Sequence, residues 1–323
     1  MANSPARAPA DSCAWVFEAS MKNSRTAWLL LLAPLICTSC SETSGSPDGG
    51  MDGSIEPDGG ETEPKCNGHA ELCERRYDEV SYPMTHNAMS NAAAGWGVPN
   101  QNFGISRQLE DGVRGLMLDT YEDQETGELL LCHATCLAGK QPFVEGLDEI
   151  EAFLADNPNE VVSIIFENYI THAQTASAFE ESGLIDYVYP HQVGEPWPTL
   201  GVLIDAGTRL VVFQEKLPEE AEYPWLMRIW DHAWETPFSF ASPDDFVCDP
   251  NRGDPANPLF LLNHFLTGLG GSPDLAGMVN YNPLFIDRAQ QCEDEGNALP
   301  NFVAVDFYDI GDLFEVVDAL NGV

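Results

Sequence analysis

Four apolar runs in this chain end on side chains that can move protons or hold a cation. Val80 to Thr85 runs into His86-Asn87, Val113 to Leu118 into Asp119, Leu129 to Cys132 into His133, and Val161 to Phe166 into Glu167. An imidazole takes up or releases a proton near neutral pH, and carboxylate and amide oxygens are hard donors that suit hard cations. A single histidine at a strand end is more often structural. Two histidines, two carboxylates and an amide on four such ends are harder to read as structural.

The elements that must position these groups follow from the hydrophobic pattern. Apolar and β-branched runs alternate with helical stretches, the pattern of βα units around a parallel sheet. The expected strands are Val80 to Thr85, Gly112 to Tyr121, Leu129 to Cys132, Val161 to Tyr169, Arg209 to Lys216, Leu259 to Phe265 and Phe302 to Tyr308, with an eighth inside Trp225 to Phe240. Val144 to Ala155 places Leu147, Ile150, Phe153 and Leu154 on one helical face, and Asn157-Pro158 stops it. Asp312 to Leu320 is a closing helix with Asp312 at its N-terminus. The fold class is α/β, an irregular (β/α)8 barrel, and such barrels collect their chemistry where strands end.

The first 64 residues stand apart. Met21 to Arg25 is a short basic stretch, Ala27 to Cys37 an apolar run, and Thr38-Ser39 precede Cys40, which is the order of an export signal. The apolar run is too short to span a bilayer. Small residues before Cys40 resemble a bacterial lipobox, with Cys37 where Leu is usual, so residues 1–40 are expected to end in lipoprotein cleavage before Cys40. Residues 41–64 are Gly, Ser, Asp, Glu and Pro and are expected to be a tether. Residues 65–323 form one domain. Removing residues 1–39 leaves 11 basic and 50 acidic residues, a net charge near −39. Nucleic-acid binding is excluded, because phosphate backbones are bound by Lys and Arg, and adsorption to anionic membranes is disfavoured. The expected partner of the lipid anchor is a membrane, and the chain is expected to be a monomer.

Six cysteines fall in the domain. An even number in an exported protein reads as disulfides, and pairing of nearest neighbours gives 66–73, 132–136 and 248–292. Zinc on Cys132, His133 and Cys136 competes with this and lacks a fourth ligand nearby. There is no P-loop, Gly-x-Ser-x-Gly elbow or His-Glu-x-x-His, so nucleotide phosphoryl transfer, serine hydrolysis and zincin chemistry have no support.

Pro83-Met84-Thr85-His86-Asn87, then Gln108 through Asp119, then Cys132-His133 and Glu151 through Glu167 together resemble the X domain of phosphatidylinositol-specific phospholipases C. Leu262-Asn263-His264-Phe265 and Pro300 through Tyr308 are similar to the phospholipase C-like phosphodiesterases of bacteria and plants. The resemblance covers roughly residues 75 to 322. It implies that His86 is the general base and His133 the general acid in cleavage of an inositol-type phosphodiester, 47 residues apart in sequence. Asp119 stands where metal-independent members carry Arg, and so places the chain with the calcium-dependent ones. Their ligands correspond to Asn87, Asp119 and Glu167, with Met117 in place of a fourth, a Glu. Calcium is the implied ion, with magnesium or no metal behind it; no organic cofactor is implied, and the implied partner is a phosphodiester or phospholipid substrate.

Other strand-end residues carry two readings each. Arg114 either binds phosphate or braces the bottom of the barrel. Asp306 either orients His86 as a triad acid does or is a buried structural carboxylate. His264 and Lys216 are pocket lining, Trp225, Trp230 and Trp234 core filler rather than a substrate rim, and the Gly268 to Gly271 run a turn. Two functions compete with the main one: a glycerophosphodiester or sphingomyelinase D-like enzyme, which Met117 and Thr85-His86-Asn87 argue against, and a surface binding protein on the same barrel without turnover, which Met117 favours.

Overall fold

The computed structural model describes residues 65–216, 222–268 and 270–323, so the expected export signal, Cys40 and the tether lie outside the described residues. Ten strands form one sheet: β1 (Tyr82–Thr85), β2 (Gly115–Glu122), β3 (Leu129–Leu131), β4 (Gln141–Pro142), β5 (Val162–Asn168), β6 (Leu210–Gln214), β7 (Leu226–Arg228), β8 (Ala233–Glu235), β9 (Leu259–Asn263) and β10 (Phe302–Val305). Eight run in the order β7-β6-β5-β2-β1-β10-β9-β8, and every neighbouring pair on that path is parallel. The path does not close, since β7 and β8 at its two ends are not paired, so the barrel is a curled α/β sheet with an open seam.

Two expectations need correction. Leu129–Leu131 is not a barrel strand: it pairs antiparallel with β2 and then with β4, forming a short excursion from the end of β2. The segment presumed to hold one poorly marked strand holds two, β7 and β8, each of three residues. An apolar run carries no sign of its direction, and three residues are too few to show alternation.

Among the described residues seven helices accompany the sheet. They are α1 (Ile105–Glu110), α2 (Phe143–Asp156), α3 (His172–Ser182), α4 (Leu200–Asp205), α5 (Pro273–Val279), α6 (Leu284–Gly296) and α7 (Leu313–Asn321). Asp312 does precede α7, but its side chain makes no cap; its Oδ2 accepts from the Asn282 backbone N–H at 2.8 Å instead.

The period of two along each strand separates two cores. Leu116, Leu118, Ile164, Phe166, Val303 and Val305 face outward onto Phe143, Leu147, Ile150 and Phe179 of the helices. Tyr82, Met84, Ile165, Val211, Phe213, Leu261, Phe302 and Ala304 face inward, where Tyr77 and Trp197 join them. The Tyr77 ring centroid lies 4.6 Å from that of Trp197, and Tyr77 Oη and Ser163 Oγ are 2.6 Å apart. Gly115 is part of the inward row because a Cβ there would come within 2.5 Å of the Met84 side chain.

Candidate active site

Continuing the inward rows by one step past the apolar core generates the site. Tyr82 and Met84 lead to His86, Gly115 and Met117 to Asp119, Ser163 and Ile165 to Glu167, Val211 and Phe213 to Glu215, Ala233 to Glu235, Leu259 and Leu261 to Asn263, and Phe302 and Ala304 to Asp306. His86, Asn87, Met117, Asp119, His133, Glu167, Glu215, Glu235, Arg252, Asn263 and Phe265 are among the residues lining a cleft of about 270 Å3. A second cavity of about 170 Å3 shares His86, His133 and Phe265 and adds Asp306, Gly268, Gly270 and Gly271. The two histidines therefore border the same open space.

His86 is held on every side. Its Nδ1 lies 2.9 Å from Asp306 Oδ1, its ring stacks on Phe265 with centroids 4.0 Å apart and planes at 5°, and Gln101 Nε2 donates to its carbonyl at 2.8 Å. Asp306 Oδ1 also accepts from Asn100 Nδ2 at 3.0 Å. Asn87 Nδ2 lies 3.0 Å from His86 Nε2. That network assigns the proton to Nδ1 and the lone pair to Nε2, and it leaves Asn87 Oδ1 as an acceptor. His133 has no such carboxylate. Burial, then the neighbouring His86, hold its imidazole below the ordinary histidine value.

The far side of the cleft is acidic. Asp119 is 5% exposed, and no side chain among the described residues hydrogen-bonds or ion-pairs with it. Burial, then Glu167 and Glu215, push its carboxyl well above the usual range. Tyr169 Oη donates to Glu167 Oε1. Glu235 is fully buried and accepts from Arg252, from Asn251 Nδ2 at 2.9 Å and from Asn263 Nδ2 at 3.0 Å. Arg252 Nη1 also donates to Glu215 Oε1 at 2.8 Å. Burial outweighs that attraction and raises the Glu215 carboxyl. Four carboxylates thus share the cleft with one arginine whose charge two of them already engage.

Backbone strain marks the site. Asn87 (φ 49°), Ala134 (φ 55°) and Phe307 (φ 49°) directly follow His86, His133 and Asp306, and all three are non-glycine residues in the left-handed region. Each costs on the order of 1 kcal/mol and persists only where the surroundings impose it.

The structure brings His86, Asn87, Asp119, His133, Glu167 and Asp306 together. It does not bring Arg114: the guanidinium sits before β2 at the opposite end of the barrel, bonded to Glu160 at 2.7 Å and to the carbonyls of Leu109 and Val113. Bracing the barrel, not touching substrate, is its place. His264 is no pocket residue either, being fully buried with Nε2 on the Val279 carbonyl and Nδ1 accepting from Arg288. Lys216 lies over the Tyr169 ring, 4.3 Å from its centroid, and donates to the Asn168 carbonyl. Trp225 and Trp234 are core, as expected, and Trp230 stacks under Arg252. Disulfides join Cys66–Cys73, Cys132–Cys136 and Cys248–Cys292, which removes the zinc reading. Glu215, Glu235 and Arg252 escaped the sequence reading.

The PI-PLC X family model matches residues 72–321, almost the whole described domain. The chain belongs to the PI-PLC X family. A PI-PLC X domain-containing protein of Arabidopsis thaliana is 33% identical over 273 residues, 76% of this chain and 62% of its own length. A protein of Arthroderma benhamiae named an uncharacterized secreted protein is 31% identical over 304 residues, 84% of this chain and 66% of its own length. The chain thus spans somewhat under two thirds of each of these two relatives. Among solved structures, a mutant of the Staphylococcus aureus phosphatidylinositol-specific phospholipase C superposes with a TM-score of 0.52 at 12% identity, covering 80% of this chain and 98% of that one. At that identity the likeness speaks for the PI-PLC X fold. Among the described residues no helix is long and apolar enough to cross a membrane.

Proposed function

We propose that this PI-PLC X protein cleaves an inositol-type or related phosphodiester by two-histidine acid–base catalysis. The observation that carries the reading is the placing of two imidazoles on one cleft, with His86 Nδ1 bonded to Asp306. In the proposed reaction His86 Nε2 takes the proton of the attacking hydroxyl, and His133, protonated, gives one to the leaving alkoxide as the P–O bond breaks. If the nucleophile is the hydroxyl next to the phosphate, the first product is a cyclic phosphate. Asp306 keeps the Nδ1 tautomer and steadies the imidazolium that forms.

A phosphodiester is anionic, and charge grows on it in the transition state. Arg252 is already engaged by Glu215 and Glu235, so among the described residues the cleft has no spare cation to offset that charge. The donor set suits a hard divalent ion, calcium by the pattern of Asn87, Asp119 and Glu167. Asp119 supplies the test of fit, being a nearly buried carboxylate without a partner beside two further acids. Among the described residues no three His, Cys, Asp or Glu side chains group closely enough to hold a metal on their own; the proposed set is two carboxylates and the amide oxygen of Asn87. Met117 lines the cleft where the family pattern has a carboxylate. Calcium, when bound, would offset the charge on the phosphate. Asn87, Asp119 and Glu167 would hold it, and Asn87 would join it to His86 through Nδ2.

Met117 also favours a second reading, a binding protein that keeps the barrel without turnover. The deciding assay is phosphodiesterase activity of the full chain on a fluorogenic myo-inositol phosphodiester and a panel of other diesters, with calcium or EDTA, beside His86→Ala and His133→Ala. Loss in both variants supports the enzyme; inert wild type across the panel gives the binding protein. Export is supported by three disulfides and by the relative named as secreted, with Cys40 the proposed lipid anchor.

A further inference from the structure

The two histidines are fixed by different means. His86 continues a parallel strand and is gripped by Asp306, Phe265 and Gln101. His133 lies on the 132–140 excursion between β3 and β4, beyond the last ladder pair, Thr120 with Leu131. The Cys132 amide still donates to the Asp119 carbonyl at 3.2 Å. After it the chain leaves the sheet, and Ala134 takes a left-handed conformation. Among the described residues no hydrogen bond holds the His133 ring. What closes the turn is covalent: Cys132, fully buried, is joined to Cys136 four residues on, with His133 inside the loop. Beyond the loop, the Gly97 amide donates to the Ala138 carbonyl at 2.6 Å, and Gly139 leaves room for Trp96, whose ring a Cβ would meet at 2.3 Å.

We propose that the Cys132–Cys136 disulfide positions the His133 imidazole over the cleft, making these two cysteines positioning residues for the reaction. The inference rests on the reading of His133 as the acid. A proton donor must lie within hydrogen-bond reach of the leaving oxygen, and displacement by about 1 Å costs about 10²-fold. A loop that ends on one sheet bond, carries an exposed residue such as Leu137 (96% exposed) and includes a strained residue does not hold that geometry by packing alone. The staple replaces, for His133, what Asp306 does for His86.

The test compares Cys132→Ala/Cys136→Ala with Cys66→Ala/Cys73→Ala, which removes the disulfide of the N-terminal segment, in the full chain. Three readouts are taken: kcat and KM on the diester, thermal unfolding, and titration of isotope-labelled histidines by NMR. We expect loss of the 132–136 staple to lower kcat about 10²-fold with KM within about twofold. The His133 titration should move up to the ordinary histidine range while the His86 signals stay in place. The control should lower thermal stability without either change. An unchanged kcat with an unchanged His133 titration overturns the proposal, as does a kcat loss that only follows unfolding in both variants. If wild type is inert on every diester, the function reading fails separately, and the His133 titration alone decides the positioning. Should the double variant not fold, Cys136→Ala, which keeps the buried Cys132 side chain, is read the same way.

Discussion

His86 and Asp306 are 220 residues apart and meet because β1 and β10 are in register: Thr85 pairs with Val305, and the next residue on each strand is the histidine and the aspartate, Nδ1 to Oδ1 at 2.9 Å. The backbone repeats the link, with the His86 amide donating to the Val305 carbonyl at 3.0 Å. A shift of one residue would turn one of the two outward. The contact is therefore as rigid as the sheet, which is what orienting an imidazole demands.

Asp306→Asn keeps the shape of this contact and removes the charge that fixes the tautomer. On the proposed mechanism kcat falls by about 10²-fold or more, while the fold stays intact because Phe265 and Gln101 still hold the ring and backbone of His86. Steady-state kinetics beside circular dichroism checks this. A variant within about threefold of wild type would leave Asp306 a structural carboxylate.

The pH profile tests His133. An acid must start protonated, and burial beside His86 holds this imidazole below the ordinary value of 6.5. Activity should therefore decline as pH rises through that lowered value, so the alkaline limb of kcat/KM lies below pH 6.5. His133→Gln should flatten that limb along with most of the rate. A limb well above pH 7 would assign the acid elsewhere.

Asp119 makes a prediction of opposite signs with and without metal. Its folded-state pKa is raised, so between the ordinary 3.8 and the raised value the native chain binds more protons than the unfolded one. Stability falls as pH rises through that window. Without divalent ions at pH 7, Asp119→Asn should therefore stabilise the chain, read as a rise in the thermal unfolding midpoint. With calcium the order should reverse, because the ion stabilises only the chain that binds it. A Tm of wild type indifferent to both calcium and EDTA would remove the metal from this cleft.

How much of this was legible in the sequence depends on strand length. In β1, β2 and β5 the apolar runs are long enough to show where they end, so His86, Asp119 and Glu167 could be read off as strand-end residues. The same rule produces Glu215 on β6, but the expected strand runs on to Lys216, which then stands as its polar end in place of Glu215. It also produces Glu235, but β8 is three residues long and shows no alternation. Arg252 follows Glu235 by 17 residues, on a loop, and only the tertiary fold brings it back. His133 is legible from the Cys132-His133 motif and from the apolar run before it, but that run is antiparallel, and the disulfide turn, not a barrel strand, presents it to the cleft.

Arg252 joins Glu215 at the end of β6 to Glu235 at the end of β8, and so spans the seam that β7 and β8 leave unpaired. Its guanidinium also lies over Trp230 and Phe238, 4.3 and 4.8 Å from their centroids. Replacing it with Met keeps the aliphatic stem and strands the fully buried Glu235 carboxylate without its cation, which costs about 3 kcal/mol. Glu235→Gln in the same chain removes the stranded charge while keeping acceptors for Asn251 and Asn263, so the double variant should recover most of that loss. Denaturant unfolding of the four proteins of this cycle gives the coupling directly. If Arg252→Met alone costs less than about 1 kcal/mol, the seam is held by packing, and the bridge across it is a surface contact of little weight.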